Sequence, residues 1–266
     1  MSSFMLSVQD LVVTYNRHSD GPVLKNVNFQ IASEEKVVIV GPNGSGKSTL
    51  LKAILGLAPI ESGSVKVFGT DVKEVRGDVR VSTNLAEVYR LAYVKAKDVV
   101  KIFAELKGGN PDSAFKMFYD FELGQILNKR IHELSTGQQK MFGNILAVSF
   151  SPKLVLLDEP FDNVDEGRRR RFIEVLRQLP AEMVVITHEF NLLQRLSDWG
   201  LYFMIEGRLW GKFSASLLDR LYITRGEASG SLAVMETSLG RLSITLDHGD
   251  IAVRTATNLN ALLEQV

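Results

Sequence analysis

Apolar and polar residues alternate along the first thirty positions of the chain, with the period of a strand that has one buried face. Two such runs are separated by a polar stretch at 16–22 that favours a turn. The apolar positions of the two runs are Leu6, Val8, Leu11, Val13 and Tyr15, then Leu24, Val27, Phe29 and Ile31. This pattern predicts an antiparallel hairpin at the start of the fold.

Continuous apolar runs further along the chain are typical of strands that are buried on both faces. Strand candidates of this kind lie at 36–40, 154–157, 183–187 and 201–205, and shorter strand candidates in which a charged residue interrupts the apolar ones lie at 65–68 and 79–81. Helical periodicity follows several of them, at 50–55, at 172–179 and after Ser135, which is a good N-cap for the helix after it. The dipeptide Glu206-Gly207 also predicts a hairpin turn. The alternation of strands and helices predicts an α/β protein with a mixed core sheet.

Two segments depart from this alternation. Apolar faces with helical spacing hold Val99, Val100, Phe103 and Leu106, and then Phe115, Phe118, Tyr119 and Leu123. They predict an α-helical insert at about 85–150 within a main domain at 1–222. From about 223 onward, short strand candidates and a candidate helix at 258–263 predict a small β-rich appendage at 223–266, which is too small to be stable by itself.

The composition is that of an ordinary globular protein, with 45% hydrophobic and 23% charged residues in 266. The 31 basic residues balance the 31 acidic ones, so no overall field attracts nucleic acid or an anionic membrane. The absence of cysteine excludes disulfides and thiolate metal sites. No apolar run approaches the roughly 20 residues needed to cross a bilayer, and the N-terminus lacks the build of a signal peptide. We therefore expect a soluble chain.

A glycine-rich stretch between the strand candidate at 36–40 and the helix candidate at 50–55 carries the first clear chemistry. It fits the phosphate-binding (Walker A) template G-x-x-x-x-G-K-[ST] and consists of Gly41, Pro42, Asn43, Gly44, Ser45, Gly46, Lys47, Ser48 and Thr49. Glycines let backbone N–H groups approach phosphate oxygens, and the helix N-terminus adds partial positive charge. In this template Lys47 reaches the β and γ phosphates and the Ser48 hydroxyl ligates Mg²⁺.

Two carboxylates, Asp158 and Glu159, follow the apolar run at 154–157. A buried parallel strand delivers the residues at its end to the edge of the sheet where ligands of α/β proteins bind. Asp158 is placed to hold Mg²⁺, directly or through water, and Glu159 could accept a proton from an attacking water. The plainer interpretation is a strand end followed by a solvated turn, and the glycine-rich stretch argues against it.

The segment from Leu134 to Gln139 brings these features together, because it reads L-S-T-G-Q-Q before a helix. The chain resembles the nucleotide-binding subunits of ABC transporters, whose signature is L-S-G-G-Q, over about residues 6–210. Thr136 stands where glycine is usual, while Ser135, Gly137 and Gln138 match. The resemblance implies a P-loop NTPase fold of ABC type that binds and hydrolyses ATP with Mg²⁺.

The resemblance also implies further roles. Tyr15 matches the aromatic that stacks on adenine, although a core-facing strand aromatic is the alternative. His188 matches the histidine that contacts the γ-phosphate and orients the water, and Asp165 matches the acidic position of the loop that links two sites. Asn84 occupies the place of a glutamine that ligates Mg²⁺ or water and serves as a hinge. Asparagine is one methylene shorter, and Glu87 is a less favoured substitute.

In this family, the signature residues Ser135, Thr136, Gly137 and Gln138 grip the γ-phosphate bound to the opposite protomer. The resemblance therefore implies a head-to-tail homodimer, or a heterodimer with a similar ATPase subunit, and a membrane-spanning permease as partner at the cytoplasmic face of the membrane. One alternative is an ABC-type ATPase that acts on nucleic acid or the ribosome. Another is a regulatory module that holds ATP without cleaving it.

The four consecutive arginines at 168–171 raise the question of nucleic-acid binding. Several acidic residues precede them, and the net charge is zero, so we interpret the run as a solvated helix face and expect no nucleic-acid partner.

Overall fold

The computed structural model describes residues 4–15, 21–74, 77–190 and 193–255. The chain forms two compact units. The first unit combines Met1–Arg76 with Ile186–Val266, and the second is Gly77–Val185. The predicted turn at 16–22 lies largely outside the described residues, and the predicted helix at 258–263 lies wholly outside them.

Strands and helices alternate through most of the described chain. The strands are β1 (Leu6–Val13), β2 (Leu24–Ile31), β3 (Lys36–Val40), β4 (Ile60–Val67), β5 (Thr70–Asp71), β6 (Val81–Thr83), β7 (Leu154–Asp158), β8 (Glu182–Thr187), β9 (Gly200–Ile205), β10 (Arg208–Ser214), β11 (Leu221–Arg225), β12 (Ala233–Thr237), β13 (Gly240–Leu246) and β14 (Ile251–Ala252). The α-helices are α1 (Lys47–Ile54), α2 (Ala86–Tyr89), α3 (Ala96–Leu106), α4 (Pro111–Asp120), α5 (Thr136–Val148) and α6 (Glu166–Gln178). Short 3₁₀ turns occupy Gly124–Asn128, Ile131–Glu133, Leu193–Leu196, Ala215–Arg220 and Val253–Thr255.

The first unit begins with an antiparallel sheet in the order β2-β1-β4-β5. Its central register places Leu6 of β1 opposite Ile31 of β2 and Val67 of β4. The apolar side chains of the alternating pattern are buried except Tyr15, with Leu6 and Ile31 at 0% exposure, and the pairing of β1 with β2 confirms the predicted hairpin. This sheet is the N-terminal antiparallel β subdomain expected from the sequence.

The same unit contains a mixed arrangement around β3. This strand pairs in parallel with β9, and β9 pairs with β10 in antiparallel fashion. The connection between β9 and β10 is the two-residue turn Glu206-Gly207, with φ of +49° and +81°, the left-handed pair that a tight hairpin turn requires. The predicted hairpin is therefore confirmed.

The last strands of the first unit form a separate antiparallel sheet in the order β12-β13-β11-β14. Ile223, Met235 and Ile244 are buried on one of its faces. The β-rich character predicted for the C-terminal part is confirmed, and the sheet begins at Leu221.

The second unit carries the helical insert. Strands β6 and β7 pair in parallel within it, and five helices surround the buried aromatic residues Phe118, Phe142 and Phe172. The ring centroids of Phe118 and Phe142 lie 5.4 Å apart. Burying one such side chain stabilises a fold by about 1.5–3 kcal/mol.

Two members of the predicted helical faces are exposed to solvent. Leu106 is 64% exposed because it is the last residue of α3, beyond the packed face that holds Val99 and Val100. Tyr119 is 66% exposed because Phe118 points into the core and Tyr119 lies one position further around α4. None of the helices in the described residues is long and apolar enough to cross a membrane.

Candidate functional site

The glycine-rich loop connects β3 to α1 within the first unit. Gly44 and Gly46 have φ of +81° and +104°, which glycine adopts without strain. The amide of Leu50 donates to Gly46 O at 2.9 Å, and this bond joins the end of the loop to the first turn of α1. The Lys47 ammonium lies 2.8 Å from Gly41 O and 3.0 Å from Pro42 O, so the lysine side chain folds back over the loop.

Packing explains one glycine of this loop, and a buried hydroxyl of the loop fits a phosphate-bearing ligand. A Cβ added to Gly41 would lie 2.2 Å from Met204 O, so only glycine permits this close approach of strand β9. The buried Ser45 hydroxyl has no hydrogen-bond partner among the described residues. A buried hydroxyl without a partner is costly, and a bound oxyanion would remove that cost.

Two other predicted residues lie in the same unit as the loop. His188 directly follows strand β8, and Thr187 O at the end of this strand accepts a hydrogen bond of 3.3 Å from the Gly41 amide. His188 is therefore adjacent in sequence to a residue that contacts the loop. Tyr15 follows β1 and is 52% exposed, so the alternative of a core-facing strand aromatic is wrong. Its stacking on adenine stays a prediction.

The second unit holds the two carboxylates. Asp158 ends strand β7, and Glu159 follows with φ of +43°, a conformation that few non-glycine residues adopt. Both residues are partly exposed, whereas the four residues before Asp158 are buried. The strand thus delivers the acids to a solvent-accessible edge, as the sequence predicts.

Asn84 lies beside them at 4% exposure, after strand β6. Its Oδ1 accepts from the Asp158 amide at 2.7 Å, and its Nδ2 donates to Asn144 Oδ1 at 2.7 Å and to Asp158 O at 3.1 Å. These bonds give Asn84 a role in holding the end of β7 that the sequence did not predict. The role of Asn84 as a Mg²⁺ ligand stays a prediction.

Two further residues of helix α5 hold the same strand end, and sequence reasoning missed both. Asn144 is fully buried and its Nδ2 donates to Pro160 O at 2.6 Å. The Lys140 ammonium donates to Asp158 O at 3.0 Å. The one available signal was a pair of polar residues on an otherwise apolar helix face, four positions apart.

The helix that follows the signature has the predicted cap. Ser135 is the N-cap of α5, its Oγ accepts from the Gln138 amide at 3.3 Å, and the Gln138 side chain accepts from the Ser135 amide at 3.1 Å. This reciprocal capping box fixes the first turn of the helix. Ser135 and Thr136 are exposed, so this helix N-terminus faces solvent in the isolated chain.

Helix α2 supports that turn through Tyr89. The Tyr89 hydroxyl donates to Gln139 O at 3.1 Å, and burial raises the pKa of this hydroxyl to about 12. The ring lies against Gly143, where an added Cβ would lie 2.7 Å from Tyr89 Cε1. The neutral, donating hydroxyl and the close ring contact hold the first turns of α5 against the segment that begins at Asn84.

The loop after β7 packs on the signature turn within the second unit. A Cβ added to Gly137 would lie 2.3 Å from Asn163 O, so glycine is required for this contact. A cavity of about 240 Å³ adjoins it, lined by residues that include Ser135, Gln138 and Asp165. Asp165 is the N-cap of α6; although burial opposes its ionisation, hydrogen bonds from Arg168 hold the pKa of its carboxyl below the usual value.

Comparison with known proteins gives these features a family. The family model described as ABC transporter matches residues 24–162. The glutamine transport ATP-binding protein GlnQ of Escherichia coli (strain K12) is 34% identical over 201 residues, which cover 70% of this chain and 83% of GlnQ. The zinc transport system ATP-binding protein TroB of Treponema pallidum (strain Nichols) is 29% identical over 236 residues, which cover 83% of this chain and 88% of TroB.

Solved structures support the same family. A crystal structure assigned provisionally as a cobalt transport ATP-binding protein (cbiO-2) has a TM-score of 0.90 and 34% identity, and covers 98% of this chain and 100% of its own. The dimeric ATP-binding cassette MJ0796, bound to ADP and Pi in a post-hydrolysis state, has a TM-score of 0.70 at 23% identity, covering 79% of this chain and 99% of its own; this likeness concerns the fold alone.

The glycine loop, the strand-end carboxylates and the capped signature helix define a P-loop ATPase of the ABC class. The chain belongs to the ABC transporter family. It is an ATP-binding and ATP-hydrolysing subunit of a transporter of this family. The named relatives are transport proteins, which does not favour the alternative of an ATPase acting on nucleic acid or the ribosome.

Proposed function

We propose that the chain works in a head-to-tail dimer that encloses two ATP molecules, with a second copy or a similar ATPase subunit as partner. One observation carries this proposal: the capped N-terminus of α5 is exposed at Ser135 and Thr136, beside a cavity of about 240 Å³. The backbone N–H groups of a helix N-terminus form a ready-made anion site. In the proposed dimer this site contacts the γ-phosphate held by the glycine loop of the partner.

Within each site the residues take separate roles. The glycine loop and Lys47 hold the β and γ phosphates, and Tyr15 stacks on adenine. Glu159 accepts the proton of the attacking water, and His188 orients that water against the γ-phosphate. Asp165 belongs to the loop that links the two sites of the dimer. The φ of +43° at Glu159 supports its assignment, because strained backbone is concentrated at functional positions.

The oxygen-rich donor set fits Mg²⁺. The Ser48 hydroxyl, the Asp158 carboxylate and, more weakly, the Asn84 amide are the ligands proposed for this ion, and hard oxygen donors are those that Mg²⁺ prefers. When bound, Mg²⁺ offsets negative charge on the phosphates. Asn84 is the weakest of the three candidates, because both of its polar atoms already bond to Asp158 and Asn144.

The proposed partner is a membrane-spanning permease at the cytoplasmic face of a membrane. Apolar side chains are exposed just after Asn84, with Val88 at 42%, Leu91 at 44% and Tyr93 at 80%. Exposed apolar clusters of this kind mark protein–protein contacts. In this proposal the helical insert transmits the closing of the dimer to the permease, and the ATPase domain spans 1–222, with the appendage at 223–266.

We propose no nucleic-acid partner. Charged or polar groups of the protein bond to each member of the arginine run: Arg168 pairs with Asp165, Arg169 donates to Val164 O, Arg170 pairs with Glu166 and Arg171 pairs with Glu122. Neighbouring carboxylates therefore offset the positive charge of three of these arginines, and this charge is what binding to nucleic-acid phosphates would require.

ATP-dependent dimerisation tests the proposal. We expect Glu159→Gln to form a stable dimer with ATP, measured by light scattering after size-exclusion chromatography, since hydrolysis no longer opens the dimer. Lys47→Ala is the control that removes phosphate binding, and it is expected to stay monomeric at the same ATP concentration. A Glu159→Gln chain that binds ATP and remains monomeric would contradict the dimer.

A further inference from the structure

The hairpin turn between β9 and β10 contacts the phosphate-binding loop directly. The Gly207 amide donates to Ser45 O at 2.9 Å, and Gly207 O accepts from the Lys25 amide at 2.8 Å. A Cβ added to Gly207 would lie 2.2 Å from Val23 O. The turn therefore packs between the start of β2 and the phosphate-binding loop. A displacement of this turn would also displace the backbone of Ser45.

The other residue of this turn, Glu206, reaches the C-terminal sheet. Its carboxylate accepts from the Ser238 amide at 2.9 Å and 3.0 Å, and it also accepts from the Ser238 hydroxyl. Although burial opposes ionisation, the bonds from Ser238 and the charge of Lys25 hold the pKa of Glu206 below its usual value. Hydrogen bonds to an ionised acceptor are about twice as strong as those between neutral groups.

Ser238 is itself held in place by the tight turn between β12 and β13. The Thr237 hydroxyl donates to Gly240 O at 2.8 Å, and the Leu239 amide donates to Thr237 Oγ1 at 3.2 Å. Gly240, with φ of +104°, closes the turn. Because these bonds already fix the turn, the amide and hydroxyl of Ser238 donate to Glu206 without a further loss of conformational entropy.

We propose that Ser238 and Glu206 are positioning residues for the nucleotide site, and that they couple the C-terminal sheet to the phosphate-binding loop through Gly207 and Ser45. The inference rests on nucleotide binding at this loop and is independent of the dimer and the permease. Coupling between two sites is reciprocal. The C-terminal sheet therefore sets nucleotide affinity, and bound nucleotide in turn orders the turn at 237–240.

The first experiment measures the Kd for ADP and the KM and kcat for ATP. Glu206→Gln is expected to raise Kd and KM about 3- to 10-fold with kcat within about twofold, since lost uniform binding changes KM alone. Ser238→Ala is also expected to raise Kd and KM. The double variant Glu206→Gln,Ser238→Ala is expected to have the same Kd for ADP as Glu206→Gln alone, because both changes remove the same contact. Ser238→Thr keeps the hydroxyl and is expected to restore wild-type affinity.

Glu236→Gln is the matched control, because it makes the same acid-to-amide change on strand β12 at a residue that pairs with Arg241. Its nucleotide affinity is expected to equal that of the unmodified chain. A lower melting temperature of Glu206→Gln with an unchanged Kd for ADP would show a purely structural contact and would overturn the inference. If the unmodified chain bound no ADP, the proposed nucleotide binding at this loop would be wrong, and this outcome differs from an unchanged Kd in Glu206→Gln.

Hydrogen exchange tests the reciprocal direction in the full chain. Saturating ADP is expected to slow amide exchange in the peptide that covers 237–240 by about twofold or more in the unmodified chain, because local opening becomes costlier. The same peptide in Glu206→Gln is expected to exchange equally with and without ADP. Equal exchange in the unmodified chain with bound ADP would overturn the coupling.

Discussion

Glu159 is held between two fixed peptide groups. Asn84 Oδ1 accepts from the amide of Asp158 on one side, and Asn144 Nδ2 donates to Pro160 O on the other. A non-glycine residue in the left-handed region costs about 1–3 kcal/mol, so its surroundings must over-determine it. These two asparagines supply that constraint, because they hold the peptide groups on both sides of Glu159.

The first prediction at this scale concerns Glu159 itself. Glu159→Gln keeps the size and polarity of the side chain but cannot accept a proton. We expect ATP to bind with unchanged affinity and the rate of hydrolysis to fall about 10²–10⁴-fold, the size of a lost general base. Phosphate release measures this rate. A turnover equal to that of the unmodified chain would remove Glu159 from the role.

The second prediction separates two roles of Asn84. If the asparagines position Glu159, then Asn84→Ala and Asn144→Ala both lower ATP turnover, leave ADP affinity largely intact, and reduce the free energy of unfolding by about 1–3 kcal/mol through unsatisfied buried groups. Asn128→Ala, at an exposed asparagine, is the control. Reduced turnover in Asn84→Ala alone would instead favour a direct role in Mg²⁺ binding.

Some of these residues could be predicted from sequence and others could not. Asp158 and Glu159 follow an apolar run, and this local pattern shows where a strand ends. Asn144 lies in the middle of a helix, and its partner Asn84 is 60 positions away. No local periodicity connects two such positions, because the contact depends on how helix α5 packs beside β6 and β7.

At the scale of elements, the cap of α5 joins stability to function. Ser135→Ala removes the acceptor for the Gln138 amide and is expected to cost about 1 kcal/mol of unfolding free energy. In the proposed dimer it also removes a group that contacts the γ-phosphate, so we expect ATP hydrolysis to fall strongly.

Asn110→Ala is a matched control for this prediction. Asn110 caps helix α4 in the same unit, and its Oδ1 accepts from the Asp112 amide at 2.9 Å. It is expected to cost a similar amount of stability, measured by urea unfolding, while ATP hydrolysis stays unchanged. Equal losses of hydrolysis in the two variants would mean that the cap acts only through folding.

Helix α3 is joined to strand β6 by a lysine that titrates in an accessible range. The Lys107 ammonium donates to Val79 O at 2.8 Å, Val81 O at 3.0 Å and Ser82 Oγ at 2.8 Å. Burial lowers the pKa of Lys107 to about 8, and the nearby charge of Asp78 opposes this shift. The unfolded chain, with a lysine pKa of about 10.4, therefore binds more protons between these two values.

Because the unfolded chain binds more protons in this range, stability is predicted to depend on pH. Stability contributed by Lys107 rises as pH increases from about 8 to 10, by about 1 kcal/mol once solvent screening is allowed for. We expect the unmodified chain to gain this amount relative to Lys107→Met in urea unfolding at the two pH values. Lys101→Met, on the exposed side of the same helix, is the control. If the difference in unfolding free energy between the unmodified chain and Lys107→Met is the same at both pH values, the prediction is wrong.

Most elements followed from local pattern, and the exceptions have physical causes. Strands β3 and β7 and helix α5 could be predicted because apolar runs and a serine cap define them. Leu106 and Tyr119 share the apolar character of the predicted faces and are nevertheless exposed. Hydrophobic spacing identifies a helix face, but the neighbouring elements decide how far along the helix that face is covered.

At the scale of the whole molecule, the phosphate-binding loop and the signature helix belong to different compact units of one chain. The proposed dimer makes each nucleotide site from the loop of one copy and the signature of the other. A chain with a damaged loop retains an intact signature, and a chain with a damaged signature retains an intact loop. A mixture of the two can therefore assemble one complete site per mixed dimer.

Complementation between Lys47→Ala and Ser135→Ala tests this arrangement. Each variant alone is expected to hydrolyse ATP at a background rate. Each mixed dimer has one of its two sites intact, so an equimolar mixture is expected to hydrolyse ATP faster than the average of the two separate rates and at up to about half of the unmodified rate. Mixing Lys47→Ala with Lys47→Ala,Ser135→Ala is the control, because no pairing there yields a complete site. If the mixture of Lys47→Ala and Ser135→Ala shows only the average of the two separate rates, the model of two independent sites shared between chains is wrong. Either each site is then complete within one chain, or a dimer hydrolyses ATP only when both of its sites are intact.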